Sequence, residues 1–192
     1  MSEKRLAERI ARESYGRLLA LLAARSRDLA AAEDALADAF AAALTAWPRT
    51  GAPEKPEAWL FAAAKRKLID AARRANTAAA GEAEITRSVE EIGAQMGEPH
   101  TPDRRLDLMF ACAHPDIDPA ARTPLILQVV LGFSAERIAS AFLVAPAAMG
   151  QRLVRAKRRI IEARVPFDPP PPNQWRARLE AVRVWPSALV GV

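Results

Sequence analysis

Apolar residues recur along this chain at three- and four-residue steps, the spacing of one face of an α-helix. Over 4–25 they are Leu6, Ile10, Tyr15, Leu18, Leu19 and Leu22, which predicts a first helix. Asp28 is placed to cap a second, with Leu36, Phe40, Leu44 and Trp47 as its apolar stripe and Pro48 as its end. The turn PRTGAPEK leads to a third helix, with Pro56 in its first turn and Leu60, Ala64 and Leu68 facing inward. No run alternates β-branched and polar residues in the manner of a strand. Glycine is scarce, at 8 residues, while alanine is abundant. The pattern predicts an all-α fold.

Prolines divide the remainder. Residues 76–100, NTAAAGEAEITRSVEEIGAQMGEPH, are small, polar and acidic and read as a linker. Within them EITRSVEEIGAQM has a weak helical tendency. A second unit opens at Thr101, a cap before Pro102, with Leu106, Met109, Phe110 and Ala113 on its first helix. Asp118 and Pro119 open another helix, running to about Leu131 and closed by Gly132; Pro124 requires a later start or a kink. Ser134 caps a short helix that turns Ile138, Ala139 and Phe142 inward. After LVAP a further helix begins at Ala147, and VPFDPPPP ends the packed unit. The expected organisation is a helical domain over 1–75, a linker over 76–100, a second helical domain over 101–168 and a tail over 169–192.

Charge sharpens that division. The net charge is +5, but residues 1–74 carry 14 basic and 10 acidic side chains, 75–120 carry 3 and 9, and 121–168 carry 8 and 3. Two basic modules flank an acidic middle, and each basic module suits a polyanionic partner.

The last helix of the second module sets Met149, Leu153, Ala156 and Ile160 on one side. Arg152, Arg155 and Arg159 lie on another, with Lys157 and Arg158 nearby and Glu162 as the acid. Ala147, Ala148 and Gly150 keep its first turns small, which allows close approach to a major groove. Arg152 and Gln151 have the chemistry to reach phosphates and base edges. A capped helix, a short turn and a basic helix form a helix-turn-helix pattern.

Other chemistry is thin. Cys112 is the single cysteine, which excludes an internal disulfide. Cys112 and His114 are too few for a structural zinc set, because the only other histidine, His100, lies in the linker. They read as packing or helix-end residues. There is no glycine-rich phosphate loop and no nucleophile with a base beside it, so neither enzyme activity nor a cofactor is expected. The charged start MSEKRLAERIARE is no signal peptide, and LLALLAA and PLILQVVLGF fall short of the roughly 20 residues of a membrane span. A cytoplasmic protein without membrane insertion is expected.

The stretch SAERIASAFLVAPAAMGQRLVRAKRRI resembles the promoter-reading C-terminal domain of bacterial RNA polymerase sigma factors of the extracytoplasmic-function type. The matching residues are Glu136, Ile138, Ala139, Arg152, Leu153, Arg155, Ala156 and Lys157. Independently, AAAEDALADAFAAALTAW resembles the helix by which these factors grip the polymerase, and PEAWLFAAAKRKLIDAARR resembles the helix that opens the minus-ten element. In the latter, Trp59, Leu60, Ala64, Asp70 and Arg73 stand at family positions. The resemblance covers residues 5 to about 165. RLDLMFACAHP resembles a subgroup that carries a long helical C-terminal extension, of which the tail would be the start. Departures are Arg66 in place of an Asn, Ala148, Gly150 and Gln151 in place of Thr, Lys and Ser, and Leu143 in place of a turn Gly.

The resemblance implies core RNA polymerase and promoter DNA as partners, and admits an anti-sigma factor or other protein regulator. It implies polymerase binding by Glu33, Asp34, Asp38 and Phe40. It implies minus-ten binding and melting by Trp59, Lys65, Arg66, Lys67, Arg73 and Arg74, with Phe61 as a second candidate stacking platform. It implies minus-thirty-five binding by Ala147, Ala148, Gln151, Arg152, Arg155, Lys157, Arg158 and Arg159. Two other functions fit the residues: a helix-turn-helix regulator that does not engage polymerase, and a degenerate sigma-like protein-interaction module.

Overall fold

The computed structural model describes residues 3–75 and 103–180. The linker helix tendency and the Thr101 cap lie outside them. Every regular element among the described residues is an α-helix: α1 (Glu3–Ser26), α2 (Leu29–Thr50), α3 (Pro56–Ala75), α4 (Arg105–Cys112), α5 (Pro119–Val129), α6 (Ala135–Ala141), α7 (Pro146–Glu162) and α8 (Pro172–Glu180). The chain divides into two compact units, Met1–Arg104 and Arg105–Val192.

In the first unit α1, α2 and α3 pack on one another. Leu18, Leu19 and Leu22 of α1 are fully buried with Leu29, Leu36 and Trp47 of α2 and Leu60 and Phe61 of α3. Truncating any of these leucines to alanine costs about 2–5 kcal/mol. The α1–α2 corner is tight. Arg27 takes a left-handed φ of 53°, and Asp28 Oδ1 accepts the Ala31 amide at 2.9 Å, capping α2 as expected. Glu57 in the first turn of α3 accepts from Ser14 and Arg17, which fastens α3 to the middle of α1.

Two expectations for α2 are corrected. Its inward stripe is Leu29, Ala32, Ala35, Leu36, Ala39, Ala43 and Trp47, while Leu44 is 46% exposed. Alanines let the helices approach closely, so the larger Leu44 is turned away from the contact. Nor does Pro48 end the helix. The turn continues to Thr50, and Gly51, at φ 80°, closes it by donating its amide to Trp47 O. A proline in a last turn leaves the hydrogen bonds of earlier turns intact, so it is tolerated there.

In the second unit Leu108, Phe110, Ile117, Leu125, Val129, Ile138, Met149, Leu153 and Ile160 form the core. Here α5 packs on α4, α6 and α7, and α6 on α7. On α4 the inward leucine is Leu108; Leu106, in the first turn, is 44% exposed. Asp118 caps α5 through the Ala120 amide at 2.9 Å, and Ser134 caps α6 through Arg137. Pro124 lies inside α5 and is buried, so the helix starts at Pro119 and runs through it. It stops at Val129, before the expected Leu131, and Gly132, at φ 71°, completes the turn. The tail contains a regular element, α8, where none was specified.

Candidate nucleic-acid interface

The face of α7 that meets α5 and α6 is the expected one: Met149, Leu153, Ala156 and Ile160 are all buried. The helix begins one residue early, at Pro146, whose missing amide suits a first-turn position. Ala145 before it makes no side-chain cap. The first-turn amides of α7 are therefore left for solvent or an external anion.

At about 100° per residue the outer surface of α7 falls into two flanks. One carries Ala148, Gln151, Arg152, Arg155 and Arg159. The other carries Ala147, Gly150, Val154, Lys157 and Ile161. Arg158 stands between them and pairs with Glu162 at 2.7 Å. The eight predicted minus-thirty-five residues thus do not form one face. The arginine flank opens on a groove of about 590 Å³ lined by Asp116, Asp118, Arg152, Arg155, Arg159 and Glu162. Arg159 Nε donates to the Asp116 carbonyl at 3.4 Å. Arg158 and Arg159 are thereby held by the unit itself, while Arg155 and Gln151 are exposed and Arg152 is half-exposed.

The turn before α7 contains a feature that sequence marked without explaining. Leu143, which stands where the resembled family has glycine, has φ 52° and is 82% exposed. A left-handed residue is needed there, and glycine takes that conformation without steric cost.

On α3 the predicted minus-ten residues also separate. Trp59, Arg66 and Arg73 follow at seven-residue steps and share the outward face. Trp59 is half-buried, its ring meeting the edge of buried Trp47 at 5.6 Å and 67°. Arg66, Arg73 and Arg74 are exposed, and Arg74 Nε donates to Asp70 O at 3.1 Å. Lys67 turns toward α2 and meets Asp38 at 3.2 Å. Lys65 turns the other way, into an apolar groove with Leu22, Phe61, Leu68 and Ile69. Phe61 cannot be a stacking platform. It is fully buried, and the Arg25 guanidinium covers its ring at 5.7 Å.

On α2, Glu33 and Phe40 lie on the flank toward α1, both half-exposed, whereas Asp34 and Asp38 are exposed. Burial, followed by the charges of Glu33 and Asp34, pushes the Tyr15 phenol well above its ordinary range. The acidic edge of α2 therefore begins over Tyr15 of α1 and ends at Lys67 of α3.

Among the described residues no group of three or more His, Cys, Asp or Glu side chains could hold a metal ion. No helix among them is long and apolar enough to cross a membrane.

Residues 10–77, which include all of α2 and α3, match the family model for Sigma-70 region 2. This supports a sigma-70 family chain. Over 161 residues the chain is 38% identical to an uncharacterized protein of Rhizobium meliloti (strain 1021), a match covering 81% of this chain and 38% of that protein. The chain thus spans well under half the length of this curated relative. No solved structure matches it.

Proposed function

We propose that the chain acts as a sigma factor of the extracytoplasmic-function type, directing core RNA polymerase to specific promoters. The observation that carries this reading is the Sigma-70 region 2 match over 10–77, on a unit whose α2 offers an acidic edge and whose α3 offers a basic one. Asp34 and Asp38, beside the exposed Leu44, dock on a basic, partly apolar polymerase surface. Charge steers the encounter and the apolar contact holds it. Arg66, Arg73 and Arg74 hold the phosphates of the opened minus-ten strand, with Trp59 at the same face for an unstacked base. In the second unit Gln151, Arg152 and Arg155 of α7 bind the minus-thirty-five duplex. Catalysis belongs to the polymerase, and the chain supplies recognition and strand separation. An anti-sigma factor or other protein regulator would act by covering these same faces.

The test is run-off transcription with core polymerase, this chain and a fragmented source genome, beside the R152A/R155A double variant. Discrete transcripts that the variant loses are expected. DNA binding without any capture of core polymerase would instead favour a helix-turn-helix regulator.

A further inference from the structure

We propose that Val154 is a base-reading residue of α7, and that its ligand is the 5-methyl group of thymine in duplex DNA. This rests on the reading of α7 as a duplex-binding helix.

Val154 is 65% exposed on the flank of α7 that carries no arginine. A β-branched residue is a weaker helix former than alanine, and at this exposure little packing compensates for it. It lies seven residues after Ala147, four after Gly150 and three after Gln151, so these groups adjoin on the surface. Gly150 has the same peculiarity. It sits inside the helix, its φ is not among the positive ones, and a Cβ added there would meet nothing within 4 Å. The fold therefore has no need of glycine at this position, although glycine weakens a helix interior relative to alanine. The absent side chain leaves a notch beside Val154 through which a partner can approach the backbone.

The surroundings specify that partner. Gln151 borders Val154 on one side and Lys157 on the other, and Arg152, Arg155, Arg158 and Arg159 make α7 strongly cationic. A polyanion matches this surface better than an apolar protein face does. In the major groove thymine alone presents a methyl group, and its partner adenine presents the N6/N7 pair that a glutamine amide fits. Gln151 and Val154, side by side, have the chemistry to read an adenine and a thymine methyl on the same or adjacent pairs.

The experiment uses the full chain. Duplexes are selected from a randomised pool with the wild type at low salt, then resynthesised with deoxyuridine in place of thymidine. This removes methyl groups and keeps the pattern of base pairing. Wild-type affinity should fall about three- to tenfold, the scale of one or two buried methyl groups. The V154A variant, exposed and helix-compatible, should bind the two duplexes within about twofold of each other. The R152A/R155A variant should weaken binding to both while keeping the wild type's preference. Equal binding of both duplexes by the wild type, or an unchanged preference in V154A, would overturn the proposal and point to a protein partner for this flank. Absence of salt-dependent binding of any duplex by the wild type is a separate result. It would overturn the duplex-binding reading itself, and this proposal with it.

Discussion

Lys67 Nζ lies 3.2 Å from Asp38 Oδ2, joining the basic edge of α3 to the acidic edge of α2. The side chains are 54% and 59% exposed, so solvent screens the pair and its contribution to stability is at most about 1 kcal/mol. Its consequence is for binding. Asp38 neutralises a cation that would otherwise face DNA, and Lys67 occupies an acid proposed to face polymerase. D38N should strengthen binding of single-stranded DNA at low salt, and K67A should weaken it. The slope of log affinity against log salt should fall by about 0.7 in K67A, the value for one phosphate contact on a single strand. Thermal midpoints of both variants should stay close to wild type. A large stability loss with no change in DNA binding would make the pair structural.

Leu143 holds a left-handed backbone conformation in the turn between α6 and α7. That conformation costs an L-residue about 1–2 kcal/mol, and glycine returns part of the difference through its freer unfolded chain. L143G should therefore stabilise the second unit by about 0.5–1 kcal/mol in denaturant titrations. L143A keeps the strain and, since Leu143 is 82% exposed, should change little. Equal stabilisation by both variants would show that removing the exposed leucine matters more than relieving φ.

How much of this was legible in the sequence follows from where each signal originates. Local hydrogen-bonding chemistry was readable: Asp28, Asp118 and Ser134 cap the helices they were expected to cap. Strong periodicity was readable as well, as in Met149, Leu153, Ala156 and Ile160. The alanine-rich stripe of α2 was not, because alanine is equally at home inside and outside a helix, and the eye goes to Leu44 instead. Pro48 and Pro124 misled because a proline's cost depends on which hydrogen bonds its position removes. For the candidate site, residue types on α3 and α7 were evident, but their partition was not. Which cation turns to Asp38, to the Asp116 carbonyl or to solvent depends on neighbouring helices that a single helical period does not contain.

Gly150 trades stability for access. G150A should raise the stability of the second unit by about 1 kcal/mol, the usual difference between glycine and alanine in a helix interior. Nothing lies within 4 Å to oppose the new methyl group. The same variant should bind duplex DNA more weakly. Stability by thermal melting and affinity by titration should thus move in opposite directions. A gain in both would remove the notch from the account of recognition.

His114 gives the second unit a pH dependence. Burial lowers its pKa first, the positive charge of Arg178 and then of Arg122 add to this, and Asp116, with Oδ2 at 3.7 Å, opposes them. Nδ1 also accepts the Asp116 amide at 3.2 Å, which requires the unprotonated nitrogen. A histidine with a depressed folded pKa binds protons more readily in the unfolded chain. Its contribution to stability is complete above the unfolded value of 6.5 and is lost as pH falls through the lower folded value. Thermal midpoints of the second unit should decline as pH drops below neutrality, and H114N should flatten that decline. An identical slope in H114N would assign it to carboxylates instead.

The hold of α8 on the second unit depends on Trp175. This helix has no buried residue, and its nine residues are too few to be stable alone. The Trp175 ring lies 5.6 Å from that of buried Phe110, and its Nε1–H donates to the Pro170 carbonyl at 2.7 Å. The aromatic contact and the hydrogen bond thus fix the helix to α4 and to its own leading turn. In W175A, amide exchange over α8 should rise to that of an unstructured peptide, and trypsin should cut sooner at Arg176 and Arg178. Protection across α5, α6 and α7 should persist, because their core residues do not include Trp175. W175F keeps a ring against Phe110 and loses the Nε1–H donor, so its exchange should fall between the two. Wild-type protection of α8 in W175A would show instead that the charges around Arg178 hold the helix.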